Sequence, residues 1–223
     1  LLTTPTHAAL LDAGFAFAAK AMLPIVASRL GGRPLQYILL THSHYDHASG
    51  SAAAKKRWPE AQIVASAYAA KILAKESARD VIRTMNDHAA REHGVFDYED
   101  LLADLTVDRT VADGDLVDMG DLQLRVLELP GHTRCSIGFY DEPARLLLGC
   151  ETLGVISGPG LVMPCCLVDY NSTRQAIARG RALAVNQLLL PHHGLIEGEE
   201  CQRFLAAADF WLAETRRRLQ AAH

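Results

Sequence analysis

The sequence predicts a layered α/β fold in one globular unit, and three observations lead there. In the first third, short runs that are apolar throughout, such as LQYILLT, alternate with stretches of helical period. From residue 107 to 150 the period changes to two around Asp-Gly and Gly-Asp turns, which marks antiparallel strands. With 223 residues, 49% of them hydrophobic, the chain can build one sizeable core.

Taken in order, HAALLDAG is a strand that leaves through a turn at Asp12 and Gly14. AFAAKAMLPIVASRLGG has helical period and stops at paired glycines. LQYILLT is a second strand, GSAAAKKRW a helix and AQIVAS a third strand, so this part reads βαβαβ. From Tyr68 to about Glu92 the pattern is helical, with Ile72, Val81, Ile82 and Met85 expected to face inward. This region and its linker form an inserted helical segment, about residues 66–105, within a single domain spanning residues 1–223. CSIGFYDEPARLLLGC is a hairpin over Glu-Pro, and GVISGPGLVMP reads as a loop. Asn171 and Ser172 are expected to cap the next helix, NQLLL to be the last strand, and a terminal helix to start near Glu199.

Lys+Arg 22 against Asp+Glu 26 gives a net charge of −4, which removes any overall pull toward nucleic acid or an anionic membrane. The expected partner is therefore small, with a homodimer as the allowed assembly. Five cysteines, odd in number and without CxxC spacing, read as reduced thiols and favour a cytoplasmic location. No apolar run approaches the ~20 residues of a membrane span, and no secretion signal opens the chain. The sequence starts Leu-Leu rather than Met, so the native start is expected to be missing.

THSHYDHASG, residues 41–50, sets His42, His44, Asp46 and His47 within six positions. In an extended segment His42 and His44 point to the same side and can grip one ion, while Asp46 and His47 follow at a turn. LELPGHT places His132 after an apolar strand, LLLPHHG places His192 and His193 after another, and RLLLGCET places Glu151 after a third. Four strands thus end in a potential ligand, where sites gather in α/β folds. The pattern predicts two divalent ions. Five imidazoles and two carboxylates suit Zn²⁺, although Fe or Mn would take the same set.

HxHxDH at residues 42–47, the GH at His132, an acidic strand end and the HHG at residues 192–194 resemble the ordered signature of the metallo-β-lactamase superfamily. The resemblance covers nearly the whole chain and implies an αββα sandwich. Position by position it implies His42, His44 and His132 on one metal, Asp46, His47 and His193 on the other, and Glu151 bridging. His193 is preferred because PHHG aligns with the family's PGHG, which leaves His192 where glycine is usual and makes it a neighbour or outer hydrogen-bond donor. Two departures stand out: the bridging position carries Glu151 where Asp is normal, and the strand that usually precedes LLDAG is absent.

The resemblance also implies the chemistry: a hydroxide on the metals attacks an acyl carbonyl, with Asp46 orienting it and accepting its proton. AKESARDVIRTMND, HYDH and ETLG are similar to the aminobenzoylacetyl-coenzyme A thioesterase group and to related acyl or polyketide thioesterases. There a helical cap shapes the acyl pocket. That likeness nominates Tyr45, Ile72, Val81, Ile82, Met85, Met163, Cys165, Cys166 and His192 as pocket-lining residues. Plain packing is the competing role for the helical positions, ring packing for Tyr45, and inert thiols for Cys165 and Cys166. The expected substrate is an acyl-coenzyme A or acyl-carrier-protein thioester. The alternatives are a lactonase or β-lactamase-like ring-opening hydrolase, and a metal-bearing ligand-binding protein with little turnover. Glyoxalase II shares the motif but normally adds a glutathione-binding helical domain, which the tail after His193 is not expected to supply. His7, His88, His93 and His223 are read as surface or satisfied histidines, and Arg216, Arg217 and Arg218 as a solvated basic run.

Overall fold

The computed structural model describes residues 1–222, so the expectation for His223 lies outside the described residues. It comprises two compact units, Leu1–Val111 with Met119–Asp121, and Ala112–Asp118 with the chain from Leu122 onward.

The first unit is built on a five-stranded sheet. Strands β1 (Leu2–Thr3), β2 (Ala8–Leu11), β3 (Tyr37–Leu39), β4 (Gln62–Ser66) and β5 (Arg109–Val111) lie in that order; β1, a two-residue strand ahead of LLDAG where the sequence reading had none, is antiparallel to β2 and the rest run parallel. Ala8, Ala9, Ile38, Leu39, Ile63 and Val64 are buried at consecutive positions, which is why these strands lack alternation. Helices α1 (Ala19–Leu30) and α3 (Ser51–Arg57) make the crossovers expected of βαβαβ, with a single turn α2 (Tyr45–Ala48) before α3. Gly31, in the left-handed region at φ 58°, ends α1 by donating to Ala27 O, as the paired glycines foretold.

Helices α4 (Ala67–Leu73) and α5 (Glu76–Glu92) occupy the helical stretch. The inward reading of this stretch holds for Ile82, while Ile72 is only half-buried and Val81 and Met85 are exposed, at 63% and 41%. The buried stripe of α5 is Ile82, Asn86, Ala89 and Ala90, spaced i, i+4, i+7, i+8; Val81 and Met85 fall beside it. Arg109–Val111 was expected among antiparallel strands. It instead pairs parallel with β4, because the helical excursion from α4 onward acts as the long crossover that a parallel neighbour needs.

The second unit carries a six-stranded sheet. Strands β6 (Leu116–Asp118), β7 (Gln123–Glu128), β8 (Ile137–Asp141) and β9 (Leu146–Leu148) form an antiparallel meander. A small separate hairpin, β10 (Val155–Gly158) with β11 (Leu161–Met163), replaces the expected loop. Strand β12 (Gln187–Leu190) then lies parallel to β9 and antiparallel to β13 (Gly194–Glu197), an edge strand the sequence reading missed. Helices α6 (Tyr170–Ala182) and α7 (Glu199–Ala221) pack on a core that includes Leu127, Leu147, Leu153, Ile177, Leu188 and Leu205. The cap of α6 is Asp169, whose side chain accepts from Ser172 N, rather than Asn171 or Ser172.

Strand direction decides where the second unit gathers its polar side chains. Strands β7, β9 and β12 all run the same way, since β8 reverses between β7 and β9 and β12 is parallel to β9. Their carboxyl ends therefore share one sheet edge, and they lead to His132, Glu151 and His192.

Candidate metal centre

In the first unit, β3 runs out through Thr41 into the histidine cluster, and the turn after β2 is tied to it. Asp12 N donates to Leu39 O at 2.8 Å, Ala13 N to His47 O at 2.8 Å, and Gly50 N to Gly14 O at 2.9 Å. Gly50 is required for this approach: a Cβ there would stand 2.1 Å from Ala13 O. The rings of His42 and His44 lie 4.6 Å apart and those of His42 and His47 4.1 Å apart. Asp46 Oδ2 faces His47 Nε2 at 3.4 Å. The expected four side chains of the first motif are thus together.

Asp12, read from the sequence only as a turn residue, organises them. Its Oδ1 accepts from Thr41 N, and its Oδ2 accepts from the Thr41 hydroxyl and from His47 Nδ1, each at 2.8 Å. A carboxylate only accepts, so the single proton of the Thr41 hydroxyl is committed to Asp12. Toward His42 Nδ1, 2.9 Å away, that hydroxyl must then accept, which places the proton of His42 on Nδ1. His47 likewise donates through Nδ1. In the neutral form of both rings the lone pair then sits on Nε2, the arrangement a metal-binding histidine needs. Asp12 adopts φ 49°, a left-handed conformation that Asp tolerates better than most residues.

The second unit repeats the device. His132 Nδ1 lies 3.0 Å from the carbonyl of Cys165, so it too must donate and keep its lone pair on Nε2. His132 N reaches Thr152 Oγ1 at 3.3 Å, which binds the His132 turn to the one carrying Glu151. Gly131 permits that turn: it sits at φ 140°, and a Cβ would meet Thr173 Oγ1 at 2.3 Å. Glu151 is 4% exposed, a depth at which a carboxylate requires a compensating proton or cation. His192 Nε2 lies 3.0 Å from Glu151 Oε1. The structure therefore places His192, and not the preferred His193, beside Glu151. His193 is exposed, and its Nε2 accepts from Ile156 N at 3.1 Å.

The remaining nominated residues have diverse surroundings. Tyr45 packs its ring edge-on to Phe15 at 5.7 Å; burial and the nearby Asp46 and Glu92 carboxylates push its phenol up, so it stays a donor at neutral pH. Met163 is 48% exposed. Burial, and then the Glu151 charge, push the Cys165 thiol up to about 11, which agrees with an inert thiol. Cys166 packs at the edge of the second unit's core. Among the other histidines, His93 bonds Ala89 O through Nδ1 at 2.8 Å, and His7 stacks on Tyr37.

The profile of the metallo-β-lactamase superfamily matches residues 1–164. The chain belongs to that superfamily. Solved structures of the fold agree: a superfamily protein from Sulfolobus tokodaii aligns over 92% of this chain and 77% of its own, with a TM-score of 0.67 at 19% identity. A metallo-β-lactamase with a HARLDQ motif from Cronobacter sakazakii aligns over 100% and 89%, with a TM-score of 0.64 at 24% identity. Among curated relatives, a hydroxyacylglutathione hydrolase of Bradyrhizobium sp. (strain ORS 278) is 31% identical over 58% of this chain and 39% of its own length. The acyl-coenzyme A thioesterase MBLAC2 of Gallus gallus is 30% identical over 55% and 43%. The chain thus matches about two fifths of the length of these relatives. For this metallo-β-lactamase superfamily chain the donor set fits divalent ions. His42, His44, Asp46 and His47 on the first unit, and His132, Glu151 and His192 on the second, are all candidate metal-holding residues.

Proposed function

We propose that this protein is a metal-dependent hydrolase that cleaves an acyl thioester, carried on coenzyme A or an acyl carrier protein. The observation that carries the metal dependence is the forced tautomer of His42, His47 and His132. Each has Nδ1 engaged as a donor, to the Thr41 hydroxyl, Asp12 and the Cys165 carbonyl respectively, so that Nε2 is the nitrogen a metal would take. In this reading His42, His44, Asp46 and His47 of the first unit, and His132 and Glu151 of the second, are the residues that would hold the ions.

Two divalent ions, Zn²⁺ by preference, would supply Lewis acidity to polarise an acyl carbonyl and lower the pKa of water toward ~7. The chain's own residues do the rest. Asp46, directed toward His47 Nε2, would orient the attacking water and accept its proton. Asp12 fixes His47 directly and His42 through Thr41, so both rings are oriented before substrate arrives. The Tyr45 hydroxyl, held protonated, is a candidate donor to the developing oxyanion. A thiolate leaving group, with a parent pKa of about 8.5, departs without the proton that an amine requires.

Thioester cleavage is supported by the names of the relatives, since both an acyl-coenzyme A and a hydroxyacylglutathione carry their acyl group on sulfur. The test is thiol release from acyl-coenzyme A substrates, aromatic β-keto ones included, beside S-acylglutathiones, lactones and a β-lactam. Release from the coenzyme A series that disappears in His47→Ala is expected. Turnover confined to S-acylglutathione would change the carrier, and ring opening without thiol release would establish the lactonase reading instead.

A further inference from the structure

We infer that the histidine the β12–β13 turn supplies as a metal ligand, beside Glu151, is His192, one residue earlier than the family's motif places it. The inference rests on the proposed metal centre and deepens it.

The argument starts with the length of the turn. Leu190 pairs with Gly194 in the β12–β13 ladder, so Pro191, His192 and His193 alone make the connection. His193 N closes it on Leu190 O at 3.3 Å. In a turn this tight, adjacent side chains diverge. His192 adopts φ 66°, a left-handed conformation that a residue with a Cβ rarely accepts, and it occupies the position where the motif has glycine. Such a conformation persists where the side chain has something to hold. What it holds is Glu151, with Nε2 at 3.0 Å from Oε1; across that gap the ring donates its Nε2 proton to the carboxylate, and an ion bound between the two would take that proton's place. Two ligands of one tetrahedral ion, bound at about 2.1 Å, stand about 3.4 Å apart, so the pair need part by only about 0.4 Å to act as co-ligands.

His193 is committed elsewhere. Its Nε2 accepts the Ile156 N–H of β10 at 3.1 Å. A neutral imidazole has one acceptor nitrogen, so His193 in this arrangement carries its proton on Nδ1 and keeps no lone pair for a metal. Turning it toward an ion would also strip the β10 amide of this partner. The longer Glu151 side chain fits the same picture, because it reaches a histidine at position 192.

The test compares His192→Asn, His192→Gly and His193→Asn with wild type by metal stoichiometry after equilibrium dialysis and by the absorption spectrum of the Co²⁺-loaded proteins. Asn and Gly both tolerate a positive φ, so the substitutions at 192 preserve the turn, which thermal unfolding checks. The expected result is two ions in wild type and His193→Asn. Both 192 variants lose the second ion, or bind it about 10–100-fold more weakly, with a changed Co²⁺ spectrum. Loss in His193→Asn with retention in the 192 variants overturns the inference and leaves the hydrolase reading standing. Loss in both sets, loss in neither, or a single ion in wild type also overturns it. A wild type that binds no metal at all overturns the proposed function with it.

Discussion

Replacing Asp12 by Asn removes one charge and nothing else of size, and Asn is as tolerant as Asp of the φ of 49° found there. The amide oxygen can still accept from Thr41 N in place of Oδ1. Where Oδ2 was, however, an NH₂ group now faces two donors, the Thr41 hydroxyl and His47 Nδ1. Each lost bond to a charged acceptor is worth about 1.5–3 kcal/mol, and the 11% exposure of Asp12 lets water recover part of it. The expected loss is therefore about 2–4 kcal/mol in metal-free protein, which for a chain of this size is a fall in Tm of about 4–15 °C. His42 and His47 also lose their enforced tautomer, so metal affinity should drop about 10–100-fold. Differential scanning calorimetry of the stripped protein and competition with a chromophoric chelator measure the two quantities. An unchanged Tm together with unchanged affinity would refute the role given to Asp12.

Gly50→Ala should destabilise the first unit by about 3 kcal/mol or more in urea unfolding, because its Cβ would overlap the Ala13 carbonyl, a backbone group that cannot swing aside as a side chain can. Along α5, Ile82→Ala should cost about 2–4 kcal/mol while Val81→Ala stays within about 0.5 kcal/mol; equal effects would contradict the observed face. With its thiol raised to about 11, Cys165 in metal-free protein should resist iodoacetamide at neutral pH and label progressively as pH climbs toward that value, followed by peptide mass spectrometry. The same raised value means that its contribution to stability is intact below the ordinary thiol pKa of 9.0 and is lost as pH rises from there to about 11.

The parts of the centre that depend on one short stretch were legible in the sequence. His42, His44, Asp46 and His47 follow a single apolar strand, and local spacing brings them together. His132 and Glu151 were found by the same rule, as side chains just past an apolar strand. Applied to β2, that rule also points at Asp12, but its closeness to Gly14 suggested a turn and nothing more. What periodicity does not carry is direction. The choice between His192 and His193 depends on the ladder register of β13, a strand whose exposed Gly194–Glu197 sequence gives little signal of its own. Val81 and Met85 misled for a related reason: apolar residues lying beside a helical stripe look like members of it until the buried neighbours, here Asn86 and two alanines, are known. Asn86 holds Ala16 N through Oδ1 and the Ser49 hydroxyl through Nδ2, a buried polar link that no apolar pattern announces.

The most direct measurement titrates metal-stripped protein with Zn²⁺ while following thiol release from the best acyl-coenzyme A substrate. Activity that rises from baseline and levels off at two equivalents, and that His47→Ala does not recover, is the predicted result. Thiol release that is indifferent to stripping and to added metal would contradict the account.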